Sequence, residues 1–328
     1  MTKKVKKVEP EPAHELVIFE TKEEKQRRTV DKYSFETVDQ EDKIILKNQF
    51  IPFAAHYRYS IFLENNSLAP ISELKIKVMY PDFLTLTRSK SIVHLPNIVT
   101  KENVKQVTIE FDELNENSKK QIHLHFTPTT LDVNGEIRTV VSFVNNKDFI
   151  RALTSDPAII YIDNITIEPK IVPSSLIGQF SKKEGIKKVI KSFGIGSTKK
   201  VKFDIYFDIL EQILLLRNLQ LIAKDLNKQI LWFFGDELES KEDILVIGRI
   251  LSKKIELIGI SRNQHLLISL LTILSNDFQD RIVFDGIVSD KKEIYDLECK
   301  YCGAVLPNFP KKGKSIECKN CNYEQVIW

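Results

Sequence analysis

Between Tyr57 and Ile162 the chain repeatedly shows short runs with apolar residues at every second position, and that spacing restricts it more than any other feature. A β-strand turns successive side chains to opposite faces, so period two marks strands with one buried face. Tyr57, Tyr59, Ile61 and Leu63 form one run, ending at the turn signal Asn65-Asn66-Ser67. Leu74, Ile76, Val78 and Tyr80 form the next and stop at Pro81-Asp82. Further runs are Val107, Ile109, Phe111; Ile122, Leu124, Phe126; Ile137, Thr139, Val141, Phe143; and Ile160, Ile162. Short strands separated by turn residues, without an amphipathic helix, predict an all-β, antiparallel sandwich of about seven strands over residues 33–170.

Residues 1–32 mix lysines, glutamates and prolines with little to bury and read as a flexible charged tail. The lysines there precede no apolar core or small-residue cleavage site, so no secretory leader is expected, and the two Asn-x-Ser/Thr sequons (Asn65, Asn164) carry no weight. The most apolar stretch, Leu266 to Leu274, is interrupted by Ser269 and Thr272 and falls short of the roughly 20 residues a bilayer requires. The 48 basic and 45 acidic residues leave a net charge of +3, so local clusters matter more than the total. All four cysteines lie from Cys299 onward, so no disulfide framework supports the bulk of the chain and a cytoplasmic location is expected.

Beyond the strand-rich region, Ile186, Val189, Ile190 and Phe193 are spaced i, i+3, i+4, i+7, which predicts a basic amphipathic helix and linker over 171–199. Lys182, Lys183, Lys187, Lys188 and Lys191 supply its polar face, suited to an anionic membrane surface or a phosphate backbone, or simply solvated. Residues 200–285 read as an α+β domain. A strand is expected over 201–207, then a helix capped by Asp208 through Ile213, Leu214 and Leu216. Strand-like segments follow at Leu219–Ala223, Ile230–Phe234, Ile244–Ile247 and Ile255–Ile260, and a helix from Asn263 to Arg281 presents Leu267, Leu270, Leu271, Leu274 and Phe278 to the sheet. Residues 286–297 are expected to be a linker and 298–328 a small module.

That module carries the chemistry. Cys299-x2-Cys302 and Cys318-x2-Cys321 are separated by fifteen residues, a spacing typical of a four-thiolate zinc site. Two residues between paired cysteines let a tight turn aim both sulfurs at one point, and Gly303 permits the positive φ such a turn requires. Four thiolates fill the tetrahedral shell of one Zn2+, so a zinc ribbon with a structural role is predicted. Lys300, Lys311, Lys312, Lys314 and Lys319 interleave with Tyr301, Phe309, Tyr323 and Trp328, a mixture that could stack on single-stranded nucleic acid, although a minimal aromatic core under solvated lysines is the favoured reading.

Other signals are weaker. His123 and His125 share a strand face and form a candidate metal pair, but alternation with Ile122, Leu124 and Phe126 puts them on the solvent side. Gly194-Ile195-Gly196-Ser197-Thr198-Lys199 lacks the G-x-x-x-x-G-K-[ST] spacing of a phosphate loop. With every cysteine committed to metal, no nucleophile–base set stands out, and the chain is not expected to be an enzyme.

With the two-domain order in view, the chain resembles the appendage (ear) region of vesicle-coat adaptors. The residues that carry the resemblance are Tyr57–Asn66, Leu74–Leu84 and Gln121–Phe143, and the segment YSIFLENNSLAPISELKIKVMYPDFL looks like the two early sandwich strands of archaeal relatives. The resemblance implies an immunoglobulin-like β-sandwich followed by a platform with a TATA-binding-protein-like layout, and recruitment of protein partners through grooves on both. Exposed aromatics line such platform grooves, and Trp232, Phe233 and Phe234 are the candidates, with a buried strand as the alternative. A non-enzymatic adaptor or scaffold is therefore expected; the rival is a transcription-related nucleic-acid-binding protein using the ribbon and the lysine helix.

Overall fold

The computed structural model describes residues 41–90, 99–101, 103–196 and 202–328; the charged tail expected over 1–32 and residues 197–199 of the rejected phosphate loop lie outside them. The alternating runs become strands: β1 (Ile44–Phe53), β2 (His56–Asn65), β3 (Ile71–Pro81), β4 (Leu84–Lys90), β5 (Val99–Lys101), β6 (Val104–Leu114), β7 (Ser118–Pro128), β8 (Val133–Val144), β9 (Ile150–Thr154) and β10 (Ala158–Ile162). They form two antiparallel sheets, β1-β2-β7-β4 and β10-β8-β3-β6-β5, with β9 also paired to β8. Tyr57, Tyr59, Ile61 and Leu63 of β2 meet Ile76, Val78 and Tyr80 of β3 in one buried cluster. The buried Tyr59 hydroxyl is satisfied by Thr139 Oγ1 at 2.7 Å. At the β2–β3 turn the Asn65 amide donates to the carbonyls of Ala69, Leu114 and Asn115, tying the two sheets together at one end.

A second unit follows, its single sheet built from β11 (Ile167–Pro169), β12 (Lys187–Ile195), β13 (Gln220–Asp225), β14 (Ile230–Glu237), β15 (Asp243–Leu251), β16 (Lys254–Ser261) and β17 (Ile294–Asp296). Its order is β11-β14-β15-β16-β12-β17, with β13 also on β14. Three helices cover it: α1 (Ser174–Phe180), α2 (Phe203–Leu216) and α3 (Gln264–Phe284). One face buries Phe193, Leu231, Phe233, Val246 and Leu257 under Leu210 and Leu214 of α2 and Leu267, Leu271, Leu274 and Phe278 of α3. The other face packs Phe234, Leu245, Ile258 and Ile260 against Phe180 of α1. Close approach of helix to sheet uses glycine: a Cβ at Gly248 would meet Leu210 Cδ2 at 2.6 Å.

Helix α3 joins the two halves. Asn263 caps it, its side chain accepting from the backbone of His265 (3.0 Å) and Leu266 (3.3 Å). Leu267, Leu270 and Leu271 face the sheet, whereas Ile268 belongs to the sandwich core. Apolar burial on both sides is the mark of an interior helix. Gln264 Nε2 donates to Ala54 O at 3.2 Å, and the rings of Tyr57 and His265 lie 5.5 Å apart.

Several sequence expectations are corrected. Residues 182–193 are not a basic amphipathic helix: the chain turns at Gly185 (φ 78°) and then runs as β12. Val189, Phe193 and Ile195 face the helices and Ile186 and Ile190 the α1 side, so an apolar set spaced at 3.6 was in fact one strand buried on both faces. From Phe203 onward the strand expected over 201–207 is instead the start of α2, residue 201 lying outside the described residues, and Asp208 lies inside that helix instead of capping it. Tyr206, Phe207 and Leu210 share its buried side, and tertiary burial overrides the β propensity of the aromatic run. The expected linker at 286–297 contains β17, which pairs with β12 from Phe193↔Asp296 to Ile195↔Ile294. Among the described residues no helix is long and apolar enough to cross a membrane, which leaves β-barrels unaddressed.

Candidate metal centre

The chain from Glu298 onward forms two matching turns. In the first, Cys299 N donates to Ala304 O, Gly303 N donates to Cys299 O, and Cys302 N points at Cys299 Sγ (2.8, 2.8 and 3.5 Å). In the second, Cys318 N donates to Tyr323 O, Asn322 N to Cys318 O, and Asn320 N to Cys318 Sγ (3.0, 2.8 and 3.4 Å). Each turn ends in the left-handed region, with φ 75° at Gly303 and 57° at Asn322, residue types that tolerate it. Strands β18 (Ser315–Glu317) and β19 (Glu324–Val326) flank the second turn.

The four cysteines are free thiols, and their sulfurs lie within 4.8 Å of one another. Cys299–Cys321 and Cys302–Cys318 are each separated by 3.6 Å. A tetrahedron with metal–sulfur bonds of about 2.3 Å has edges of roughly 3.8 Å, so the donor set fits a single metal ion. Burial pushes the Cys299 thiol up and Cys321 up to about 12; at Cys302 burial is outweighed by hydrogen bonds from Asn320 and the Ala304 backbone, which pull it down to about 6. Thiols this close resist ionising together, and a cation relieves that conflict while releasing their protons.

The module is seated on both larger units. Toward the sandwich, His56 of β2 bridges Thr127 Oγ1 (2.6 Å) and the Glu298 carboxylate. Arg88 of β4 is 9% exposed; its Nη2 contacts His125 Nδ1 at 3.0 Å and its Nη1 donates to Cys299 O at 3.4 Å. Toward the second unit, Phe309 lies on Gly194, where a Cβ would fall 2.3 Å from the ring. Buried Lys254 donates to Leu306 O at 2.6 Å and pairs with Glu256 at 2.6 Å. Phe309 stacks on Trp328 at 5.0 Å and on Tyr295 at 6.0 Å. Between the sandwich and the module, a cleft of about 270 Å³ is lined by His56, Arg88, Tyr295, Asp296, Glu298 and Lys300.

The other sequence-predicted residues fare differently. Lys182 and Lys183 lie in the turn after α1, Lys187 and Lys188 at the exposed start of β12, and Lys191 is only 7% exposed, so no single lysine face exists. Burial holds the Asp296 carboxyl above the usual range, with Lys191 acting against that rise. Phe234 is fully buried with its ring edge-on to Phe180 at 5.3 Å, and Trp232 packs half-buried in the same cluster; Phe234 therefore forms no exposed groove. The ribbon aromatics divide: Phe309 and Trp328 dock the module, whereas Tyr301 and Tyr323 stack at 5.8 Å and remain exposed beside lysines. His125 is not on the solvent side, because Arg88 and Phe53 cover it; His123 instead bonds Ser60 Oγ at 2.9 Å. Arg88 and His56 carried no sequence signal, since the module residue that each of them meets lies more than two hundred positions away.

Burial, reinforced by Arg88, His56, His123 and Arg58, pushes His125 down to about 3. Its folded value lies below the unfolded one, so the stability it supports is complete above pH 6.5 and lost as the pH falls toward 3. Between pH 7.5 and 5.5 the protein is expected to lose about 1 kcal/mol more than the His125→Gln variant, read from urea midpoints at each pH. Parallel slopes would show that His125 is not held neutral.

No family model and no curated protein matches the chain. Among solved structures it is similar to the major pilin SpaD of Corynebacterium diphtheriae (13% identity, TM-score 0.31, covering 46% of this chain and 42% of that one). It is also similar to the major pilin BcpA of Bacillus cereus (10%, 0.27, 66% and 66%) and to a GH20 exo-β-N-acetylglucosaminidase of Vibrio harveyi (10%, 0.26, 67% and 39%). The chain spans less than half the length of the SpaD and glucosaminidase chains. Likenesses this remote carry no inference about family or activity.

Proposed function

We propose that this protein is a non-enzymatic, cytoplasmic scaffold that recruits protein partners, its C-terminal module being a ribbon built on one structural Zn2+. The observation that carries the zinc reading is the convergence of four thiols from two matching turns, which fills every position of a tetrahedral shell and leaves none for substrate. An all-sulfur donor set suits Zn2+ over harder cations, and free thiols suit a reducing compartment. The recruiting role is supported by the sandwich edge. Ile150 of β9 and Ile159 and Tyr161 of β10 are 76%, 53% and 66% exposed along strands that border the sheet. Edges of this kind accept an extended peptide as an added strand. The order of sandwich then α+β layer also fits the coat-adaptor appendage resemblance.

The rival reading, nucleic-acid binding, draws on the exposed Tyr301–Tyr323 stack and on Lys300 and Lys319 beside it. One experiment separates the two. Full-length protein purified from its native cells is expected to contain one zinc per chain by elemental analysis. It should co-purify with protein partners that are lost in an Ile159→Glu/Tyr161→Glu variant, and show no salt-dependent shift with single-stranded DNA or RNA. Partner capture unchanged in that variant, together with a nucleic-acid shift abolished by Tyr301→Ala/Tyr323→Ala, would replace the scaffold reading with the rival.

A further inference from the structure

We propose that Arg88, a sandwich residue, is the positioning cation of the loaded four-thiolate centre, so that metal loading locks the C-terminal module onto the sandwich. The inference rests on the metal-binding reading above and assigns that site a role in holding the domains together.

A guanidinium removed from water requires compensation, and Arg88 has little that is direct. Its Nε has no hydrogen-bond partner, its Nη2 faces the ring of a neutral histidine, and its Nη1 reaches the Cys299 carbonyl only at 3.4 Å. Glu298, the carboxylate whose charge acts on it, is already engaged by His56. What the guanidinium does lie against is the first metal turn. At Gly303 a Cβ would fall 1.7 Å from Nη1, so the turn has no side chain where the cation sits.

A divalent cation held by four thiolates is formally a dianion, and in a site of low dielectric a cation beside it interacts strongly. Arg88 and the metal therefore stabilise each other across the sandwich–module boundary, and by linkage whatever Arg88 adds to metal affinity the metal adds to docking.

The test uses the full chain. Arg88→Met keeps most of the apolar stem and removes the charge. Competition with a chromophoric chelator is expected to show one zinc per chain bound 10–100-fold more weakly, the loss usual for groups supporting metal ligands. Lys312→Met, an exposed lysine in the same module, should leave affinity unchanged. In the wild-type protein, stripping zinc should speed amide exchange in β4 around Arg88 while the β3–β6 pairing stays protected. Wild-type protein without zinc would remove the underlying metal reading. Zinc bound by Arg88→Met with wild-type affinity, or an equal loss in Lys312→Met, overturns the proposal. Should Arg88→Met fail to fold, the wild-type exchange decides, and unchanged β4 protection on zinc removal overturns it.

Discussion

Replacing Cys299 and Cys302 with serine is expected to abolish metal binding and unfold the chain from Glu298 onward, while the sandwich and the second unit keep their cores. The module's own apolar core has only Leu297, Cys299, Leu306, Ile316 and Cys318 as buried members, and two of those five are themselves ligands. A core that small cannot offset the conformational entropy of some thirty residues, each costing about 1–2 kcal/mol to fix. Structural zinc contributes apparent binding energies of about 10–16 kcal/mol in modules of this kind, and that energy is their folding energy. The upstream cores take no residue from the module, Ile294 being the last that packs against either, so they do not depend on the metal for packing. Elemental analysis should fall from one equivalent to none, and amide protection should vanish at Ser315–Glu317 and Glu324–Val326 while persisting in β3 and β15. One equivalent of metal retained by the double variant would mean that the thiols are not its ligands.

The legible parts of this protein are those in which a local rule and the tertiary environment agree. β2 and β3 alternate because one face meets the opposite sheet, and the pattern reads directly as strand. The cysteine pairs read as a metal site because each turn needs only its own backbone and one residue tolerant of positive φ. Asn263 announces α3 through a cap that is local by nature. β12 was hidden for the opposite reason. A strand sandwiched between α1 and the α2–α3 layer has apolar residues on both faces, and Ile186, Val189, Ile190 and Phe193 imitate a helical stripe. α2 was masked by aromatics that favour strands in isolation. The seat of the metal module was beyond reach, since Arg88–Cys299, His56–Glu298 and Phe309–Gly194 each join segments more than a hundred residues apart without a sequence signature.

Truncating Phe278 to alanine should cost about 3–5 kcal/mol, the range for removing a buried aromatic ring. Phe278 is fully buried in α3, its ring 5.3 Å from that of Phe193 on β12, in the cluster that also holds Leu274 and Ile282. Phe193 is held by the pairing of its strand and cannot collapse into the space, which places the cost toward the upper end. One helix lies between two cores, so the position matters. Phe278 belongs to the second unit's core and Ile268, earlier on the same helix, to the sandwich's. Their separation of ten residues is about 15 Å along the axis, far enough for their effects to add. Phe278→Ala should therefore lower the urea midpoint reported by Trp232, which lies on β14 of the same sheet, and Ile268→Ala should add a loss of about 2–5 kcal/mol instead of being masked by it. Asp280→Ala, whose exposed carboxylate pairs with exposed Lys291 on the outer side of α3, should stay within about 0.5 kcal/mol of wild type. A Phe278→Ala midpoint as close to wild type as that of Asp280→Ala would show that α3 is not anchored at β12, and the helix could not then hold the two cores together.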